Sequence, residues 1–492
     1  MNKIRIFLLG IYSFLFPIGC TNEFERIDFP TTSSISTEPD GLFTVATQRG
    51  SQTWLMFDRA QRLLANFYVQ YNALNGGYPS DYYEPTSGIF TEIWDRSYGD
   101  QSFEFAPLFY ITKTIEICQD RQNPHKEGIA RIWRVFLFQR ITDMYGDIPY
   151  SEAFTKYQPK FDTQESIYAD FISEIKVGKD LMASPGDFPS FGAADLIYQG
   201  NRDKWLKFAN SLLLRIALRI VNVAPEKSAE ILNEIKDGPF MQSNDDSNKM
   251  LWDGSVSNIY FRNPILVTEV FNTTKMSSTM IDYLKTNNDP RLSQYAKPAV
   301  SDGQYRGLNN GLDPEAESVN DDNYYDQFSR VGQVFLEENG VTYNMHYPEV
   351  CFLKAEAAWR GLLPGNPAEF YYEGIRAALN LYVGVTENSY QAYINQQNIQ
   401  FSQANALELI ITQKWVSLCM NGLEAWAEKR RTGFPTLKPI SFQGPVNNGS
   451  YPRRLIYSES ERRLNRTQLE LAVTRMGGDT QTIRIWWDNT SN

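Results

Sequence analysis

The sequence predicts a mostly α-helical protein built from paired helices. Apolar residues recur every three or four positions over long stretches, which is the spacing of one face of a helix. The two strongest stretches lie at residues 205–220 and 129–144. The same spacing recurs at residues 167–181, 229–235, 350–362, 370–382 and 404–420. Such a series indicates antiparallel helix pairs, and pairs joined by irregular segments are typical of an α-solenoid.

The ends of the two strongest helices can be predicted from the residues that flank them. Asp203 is a suitable N-cap for the helix through 205–220, because its side-chain oxygen can accept an N–H of the first turn. The helix through 129–144 should end at Gly146, which can take a positive φ, and Pro149 blocks its continuation. The tryptophans on these periodic faces are predicted to be core residues: Trp133, Trp205, Trp359 and Trp415.

The helical pattern lapses in two places, which we call excursions. Between residues 238 and 347, glycine, asparagine, aspartate and serine are frequent, and only residues 278–284 keep a helical spacing. A structureless loop of that length is uncommon in a compact protein, so we expect a folded excursion with short strands and turns. Residues 75–98 form a second, smaller excursion, which is polar and rich in turn-forming residues.

The amino-terminal residues have the features of a secretory signal peptide. Lys3 and Arg5 precede an apolar run, residues 6–18, that is too short to span a bilayer stably. Gly19 followed by Cys20 indicates lipoprotein processing, with an ordinary cleaved signal peptide as the alternative. We therefore predict a signal peptide at 1–19, a lipidated flexible tether at 20–40 that starts with the lipid attachment residue Cys20, and a single helical domain at 41–492.

Composition argues against several classes of function. A net charge of -11 opposes binding to nucleic acid. The chain has only 2 histidines in 492 residues, so a histidine-based catalytic relay or a His-rich metal site is hard to assemble. We predict a protein that is not an enzyme and needs no cofactor or metal, although the acidic run 320–326 leaves a bound calcium ion open. Three widely spaced cysteines are predicted to be buried small apolar residues: Cys118, Cys351 and Cys419.

Two pairs of carboxylates could suggest catalysis, but each has a simpler structural interpretation. Asp143 and Asp147 flank a Tyr-Gly turn, where Asp147 is well placed to accept backbone N–H groups. Glu424 and Glu428 are one helical turn apart and precede three cations at 429–431. This pattern predicts an ion-paired helix end with cations near the C-terminus.

Several short motifs follow one another in a characteristic order along the chain. They are residues 142–153 (TDMYGDIPYSEA), 195–200 (DLIYQG) with 205–219 (WLKFANSLLLRIALR), 288–292 (NDPRL), 347–358 (YPEVCFLKAEAA), 413–415 (QKW), 422–426 (GLEAW) and 430–435 (RRTGFP). In this order they resemble the signature of the SusD/RagB family of outer-membrane lipoproteins, in particular its SusD-like second subfamily. A single motif would be weak, whereas the ordered set is specific.

The resemblance implies a fold, a location and a partner. The expected fold is a right-handed α-superhelix of about four tetratricopeptide-like helix pairs that carries irregular, loop-rich excursions and a few short strands. The expected location is the outer membrane, lipid-anchored and facing the cell exterior. The expected function is capture of a glycan or peptide nutrient and its delivery to a SusC-type TonB-dependent transporter. A surface-anchored glycoside hydrolase and a helical-repeat scaffold or adhesin remain as alternatives.

Aromatic side chains outside the periodic helices are the best candidates for ligand contact, because the C–H faces of sugars and apolar parts of peptides pack on such rings. These rings are Tyr78, Tyr82, Tyr83, Trp94, Tyr98, Trp252, Tyr260, Tyr305, Tyr324 and Tyr325. As candidate ligand-binding platforms we select Trp94, Tyr98, Trp252 and Tyr325.

The lipid anchor can be tested directly through Cys20. Because all of the acyl chains would depend on this one cysteine, Cys20→Ser should release the protein from the membrane without changing its fold. Membrane fractionation followed by immunoblotting measures the release, and circular dichroism of the released protein checks the fold. Retention of the serine variant in the membrane fraction would contradict the prediction.

Overall fold

The computed structural model describes residues 38–75, 78–84, 87–99, 106–269, 273–316, 321–382 and 384–489. The predicted signal peptide, Cys20 and nearly all of the predicted tether lie outside the described residues. In the part that is described, no helix is both long enough and apolar enough to cross a membrane.

Helices make up most of the structure. In chain order they are α1 (Pro39–Gly50), α2 (Trp54–Phe57), α3 (Asn66–Tyr68), α4 (Ser87–Tyr98), α5 (Pro107–Asp120), α6 (Pro124–Tyr145), α7 (Gln164–Met182), α8 (Arg202–Arg219), α9 (Pro225–Ile235), α10 (Pro264–Glu269), α11 (Ser278–Thr286), α12 (Leu292–Tyr295), α13 (Asp322–Tyr325), α14 (Tyr347–Trp359), α15 (Pro367–Tyr382), α16 (Glu387–Ile394), α17 (Ala406–Ser417), α18 (Gly422–Thr432), α19 (Glu459–Leu464) and α20 (Arg466–Met476). A π-helical segment, Asp58–Ala65, joins α2 to α3.

The strands are short and pair two by two. They are β1 (Asn72–Leu74), β2 (Ile148–Pro149), β3 (Phe161–Asp162), β4 (Asn248–Leu251), β5 (Thr274–Met276), β6 (Ala296–Lys297), β7 (Arg330–Val331) and β8 (Val341–Met345). The antiparallel pairs are β1 with β5, β2 with β3, β4 with β8 and β6 with β7. The fold is therefore mostly α, as predicted, because no sheet is large enough to form a layer of its own.

Consecutive helices pack in pairs, and the pairs stack along the chain. The pairs are α6 with α7, α8 with α9, α14 with α15 and α17 with α18. Between pairs, α7 packs on α8, α8 on α14, and α14 on α17. This is the stack of tetratricopeptide-like helix pairs that the fold prediction describes, and each pair buries its apolar face against its neighbours.

Two glycines allow α6 and α7 to approach closely. A Cβ atom built on Gly128 would lie 2.4 Å from the carbonyl oxygen of Gly178, and a Cβ atom on Gly178 would lie 2.9 Å from the carbonyl oxygen of Gly128. Both distances are too short for a real side chain. The two backbones therefore touch at this crossing, which fixes the relative position of the two longest helices in the stack.

Helix ends and core tryptophans agree with the predictions except in two details. Helix α6 ends at Gly146, whose φ is +90°, as expected. Helix α8 is capped by the side chain of Asn201, which accepts the Lys204 N–H at 3.1 Å, and Asp203 lies in the first turn instead. The predicted core tryptophans Trp133, Trp205 and Trp415 are buried, whereas Trp359 is only half-buried.

The larger excursion is folded as predicted. It contains β4 to β8 and short helices, and α11 covers the residues 278–284 that keep a helical spacing. The smaller excursion, residues 75–98, differs from the prediction because its second half is helix α4. Ile89, Phe90, Ile93 and Trp94 of α4 are buried and follow a helical spacing that the polar, turn-rich residues around them obscured.

Buried charged side chains join the helix pairs. Arg219 of α8 is fully buried and donates to Glu424 and to Glu428 of α18, at 2.6 Å each. Arg431 of α18 pairs with Glu356 of α14 at 2.6 Å and with Glu428 at 2.6 Å. Two further buried cations complete what we call the charge network: Arg215, which pairs with Glu349 at 2.8 Å, and Lys414, which lies 3.3 Å from Glu428.

The charge network corrects the expectation for Glu424 and Glu428. The helix end is ion-paired as predicted, but it is buried and its partners come from other helices as well as its own. Burial alone would raise the pKa of Glu428, but Arg431, Lys414 and Arg219 outweigh it and hold this pKa well below its usual value. Glu428 is therefore ionised inside the core.

Asp143 and Asp147 have structural partners, although the backbone N–H that Asp147 accepts lies outside the Tyr-Gly turn in which it was expected. Asp147 accepts the backbone N–H of Gln164 at 2.8 Å, at the start of α7, and pairs with Arg475 at 2.6 Å. Asp143 accepts the indole N–H of Trp487 at 2.7 Å and lies 3.5 Å from Arg219. Among the described cysteines, Cys118, Cys351 and Cys419 are free and buried, as predicted.

Removing one member of the charge network should destabilise the protein strongly. Glu428→Gln leaves Arg219 and Arg431 buried with one carboxylate fewer, so we expect a loss of about 3 to 5 kcal/mol in the free energy of unfolding. Urea denaturation followed by circular dichroism measures this loss. The matched control is Glu230→Gln. This substitution should leave stability unchanged, because Glu230 and its partner Lys227 are both exposed. Equal unfolding midpoints for both variants would contradict a structural role of the network.

Candidate functional site

The two excursions meet at one place on the surface. Strand β1 ends directly before the smaller excursion and pairs with β5 of the larger one, with Asn72 opposite Met276. The side-chain amide of Asn310 then bridges them, because it donates to the Asn72 carbonyl oxygen at 2.7 Å and to the Asp81 carboxylate at 2.6 Å. Segments that are far apart in sequence are thus held side by side by backbone and side-chain hydrogen bonds.

Asp81 is the electrostatic centre of this contact. Its carboxylate is fully buried and accepts hydrogen bonds from the Asn310 amide and from the backbone N–H of Gly311 at 3.1 Å. Burial raises the pKa of Asp81 to about 7, although these hydrogen bonds oppose the shift. Asp81 therefore holds the loop at Asn310 and Gly311 in place, and its charge changes near neutral pH.

A third segment, residues 436–449, closes over the contact. The backbone N–H of Ser441 donates to the Asn310 carbonyl at 3.0 Å, and that of Phe442 donates to the Gly311 carbonyl at 2.7 Å. Glu84 accepts the backbone N–H of Asn447 at 3.0 Å. We call the combined surface, formed by residues 78–84, 305–316, 321–328 and 436–449, the loop junction. It stands on the helix stack and is built from loops that the stack positions.

Half-buried aromatic rings line the loop junction. The rings of Tyr82 and Phe442 meet edge to face with their centroids 5.1 Å apart. The rings of Tyr324 and Phe328 form a second edge-to-face pair, also at 5.1 Å, and Leu312 packs in the same cluster. Each ring is partly accessible, so the junction offers aromatic faces that are held rigid by their neighbours.

Polar side chains accompany these rings. Asn309, Asp313, Ser441 and Gln443 belong to the loop junction and are exposed. Amide, hydroxyl and carboxylate groups can hydrogen-bond to sugar hydroxyls, while the rings pack against sugar C–H faces. The arrangement is therefore suited to bind a hydroxyl-rich ligand without a covalent step.

Two of the selected aromatic residues, Trp94 and Tyr98, do come together in the structure. Both lie on α4, with ring centroids 4.9 Å apart. Trp94 is 1% exposed and packs edge to face against Tyr145 and Tyr457. Its selection as a stacking platform is therefore wrong, because no face of the ring is open to a ligand. Tyr98 is half-buried, donates to the Pro149 carbonyl at 2.7 Å and stays a prediction.

The other two selected residues, Trp252 and Tyr325, lie on separate elements. Trp252 follows β4, is 3% exposed and donates its indole N–H to Thr342 at 2.9 Å. Tyr325 belongs to the loop junction but is also 3% exposed, and it packs against Leu308 and Ala73. Their selection as exposed platforms is wrong for the same reason as for Trp94, since both rings are packing anchors.

The accessible rings of the loop junction were only partly foreseen. Tyr82 and Tyr324 belong to the wider set of aromatic residues outside the periodic helices, but Phe328 and Phe442 do not. A usable signal for Phe442 was the richness of residues 433–452 in proline and glycine, which is typical of an ordered loop. For Phe328 the sequence carries no comparable signal.

The described residues contain no group of three or more His, Cys, Asp or Glu side chains arranged to hold a metal ion. Both histidines have structural partners. His346 caps α14 by accepting the Glu349 N–H at 2.9 Å, and His125 contacts the Ser184 carbonyl at 2.9 Å. Their hydrogen bonds account for them as parts of the fold.

A stack of tetratricopeptide-like helix pairs that carries a ring-lined loop surface defines a binding scaffold. A family model described as starch-binding and associating with the outer membrane matches residues 30–458. The chain belongs to this SusD-like family. No curated protein sequence is significantly similar to this chain.

Solved structures support the same assignment. A chitin-binding protein is 28% identical, with a TM-score of 0.82 over 92% of this chain and 100% of that chain. A SusD homologue from Bacteroides uniformis is 26% identical, with a TM-score of 0.79 over 92% of this chain and 99% of its own. A second homologue, from Bacteroides vulgatus, is 25% identical, with a TM-score of 0.78 over 90% of this chain and 94% of its own.

The raised pKa of Asp81 predicts a pH-dependent stability. The folded protein favours the protonated form up to about pH 7, whereas an unfolded aspartate titrates near 3.9. The contribution of Asp81 to the free energy of unfolding is therefore fully present below about pH 4, and it is lost as the pH rises to about 7. Between pH 5 and pH 8 the wild type should lose on the order of 2 kcal/mol relative to Asp81→Asn. Urea denaturation of both proteins at pH 5 and pH 8 measures this loss. A difference in stability between wild type and Asp81→Asn that is the same at both pH values would contradict the prediction.

Proposed function

We propose that this protein captures a glycan at the loop junction and passes it to a SusC-type TonB-dependent transporter in the outer membrane. The observation that carries the proposal is the pairing of accessible rings with exposed polar side chains on one rigid surface: Tyr82, Phe442, Tyr324 and Phe328 beside Asn309, Asp313, Ser441 and Gln443. The family description, starch-binding, and the chitin-binding structural relative support a saccharide as the ligand.

We also propose that capture does not involve hydrolysis. Glycosidases need a pair of carboxyl groups on either side of the scissile bond. At the loop junction, the Asp81 carboxylate is fully buried and is engaged by Asn310 and Gly311, so it cannot reach a ligand. Asp313 is exposed and accepts the backbone N–H of Glu315 at 2.9 Å. Asp81 therefore cannot serve as one member of a catalytic carboxylate pair.

Capture and delivery require that the protein be held beside its transporter. Lipidation of Cys20 would provide the anchor, and the residues between Cys20 and α1 would serve as the tether on the outer face of the outer membrane. The association of the family with the outer membrane supports this location. A lid that closes over a barrel would trap the ligand between the two proteins.

Substitution of the accessible rings tests the ligand surface. Tyr82→Ala and Phe442→Ala should each weaken binding of chito-oligosaccharides or malto-oligosaccharides by ten-fold or more, since stacking on one ring contributes about 1 to 3 kcal/mol in the analogous case of nucleic-acid bases. Isothermal titration calorimetry measures the affinity, and mass spectrometry of the sugar checks for cleavage. The control is Tyr157→Ala, because this ring is 73% exposed and lies outside the junction. Wild-type affinity in both junction variants would exclude this surface.

Purification from membranes tests the partner. A stable lid-and-barrel contact of this kind commonly buries more than about 2,000 Å² in total. We expect a contact of this size to survive mild detergent. Affinity capture of the full-length protein should therefore recover a large TonB-dependent barrel in comparable amount, as judged by mass spectrometry. Recovery of the protein alone in several detergents would favour a solitary scaffold.

A further inference from the structure

A second concave site opens beside the loop junction. It is a cavity of about 520 Å³ at the C-terminal end of α18, and it shares the segment 436–449 with the junction. The rings of Tyr83 and Tyr451, 5.5 Å apart, belong to its lining. The volume lies within the range of about 300–1,000 Å³ that is common for small-molecule sites. We call this space the basic cavity.

The lining of the basic cavity is positively charged. Its charged side chains are Lys429, Arg430, Lys438 and Arg453, and none of the described residues that line it is an aspartate or a glutamate. The protein as a whole has a net charge of -11. Positive charge is thus concentrated at one concave place on an acidic protein, where field lines are focused and an anion is attracted.

The four cations differ in how well their charge is compensated. Lys438 pairs with Asp282, and Arg453 pairs with Asp488 at 3.0 Å. Lys429 contacts the Gly433 carbonyl oxygen at 2.5 Å, and in the described structure it has no carboxylate within ion-pair distance. Its ammonium group can therefore donate to an anionic ligand in the cavity.

Arg430 is the second cation of the lining that makes no ion pair in the described structure. It is 1% exposed, and its guanidinium lies 3.7 Å from the ring centre of Trp426. Its Nη1 donates to the Arg453 carbonyl at 2.7 Å and its Nε to the Trp426 carbonyl at 3.3 Å. Its Nη2 is buried without any hydrogen-bond partner among the described residues. A buried donor without an acceptor is costly, so an acceptor supplied by a ligand would be favoured.

The pKa values of Lys429 and Arg430 are both lower than usual. Burial and the nearby Arg453 lower the pKa of Lys429 to about 8. Burial lowers the pKa of Arg430 to about 10, although the nearby Asp488 and Asp143 oppose the shift. The protonated, positively charged forms of both side chains are therefore less favoured here than in water. A negative charge in the cavity would reverse this effect, because an opposite charge at short range favours the ionised form.

We propose that the basic cavity binds an anionic group of the captured saccharide, either the carboxylate of a uronic acid or a sulfate or phosphate ester. The proposal deepens the proposed function, since it assumes that a glycan is held at the adjoining loop junction. Lys429 and Arg430 are the groups that select the charge, and the junction rings hold the sugar. The preferred ligand is therefore an acidic glycan instead of a neutral one.

Reactivity of Lys429 in the wild-type protein tests the cavity without knowledge of the natural ligand. The protein is treated with an N-hydroxysuccinimide ester of acetate at pH 8, in sodium sulfate, sodium galacturonate or sodium chloride of equal ionic strength. Peptide mass spectrometry then follows acetylation of Lys429 and of the exposed Lys227. We expect sulfate or galacturonate to slow acetylation of Lys429 at least three-fold and to leave Lys227 unchanged. Equal rates at Lys429 in all three salts would overturn the proposal.

A calorimetric comparison separates this proposal from the proposed function. Trigalacturonate should bind at least ten-fold more tightly than tri-N-acetylchitotriose, and Lys429→Met should remove that difference, whereas Lys227→Met should not. Tighter binding of the neutral sugar, unaffected by Lys429→Met, would overturn the anionic site and leave glycan capture intact. Protection of Lys429 by sulfate or galacturonate without binding of either trisaccharide would support the cavity and contradict the proposed function.

Discussion

The buried charge network is the constraint on which the rest of the structure depends. Arg219 is fully buried between Glu424 and Glu428, and Arg431 between Glu428 and Glu356. A charge inside a protein is tolerated only when its partners are in hydrogen-bonding position, so the bonds of Arg219 to α18 and of Arg431 to α14 each tie two helices together. The network thus joins α8, α14 and α18 through contacts that depend on their relative positions.

Helix α18 carries this constraint from the core to the surface. Three consecutive residues near its end connect the two regions: Lys429 and Arg430 line the basic cavity, with Arg430 also packed on the Trp426 ring, and Arg431 belongs to the charge network. The helix ends at Gly433, whose φ of +81° turns the chain into the loop that covers the junction. The loop therefore starts from a helix that is anchored in the charge network.

Helices were predictable because their information is local. An apolar face at a spacing of three or four residues is written in a single stretch of sequence, and so is the glycine that ends α6. Helix α4 was missed since its short apolar pattern lies among turn-forming residues, and the cap of α8 was placed two residues late because Asn201 and Asp203 are both good caps. Which of two suitable residues caps a helix depends on its surroundings.

The sequence by itself determined the mostly α-helical class, the paired helices, the folded excursion at 238–347 and the ordered motifs of the family. Tertiary structure alone brought together the loops of the proposed binding surface. Asp81 and Asn310 are 229 positions apart, and their hydrogen bond is one of the contacts that hold the two excursions side by side. An aromatic residue in a polar segment can be a platform or an anchor, and burial chose the second for Trp94, Trp252 and Tyr325. Exposure depends on residues far away along the chain, so local sequence cannot state it.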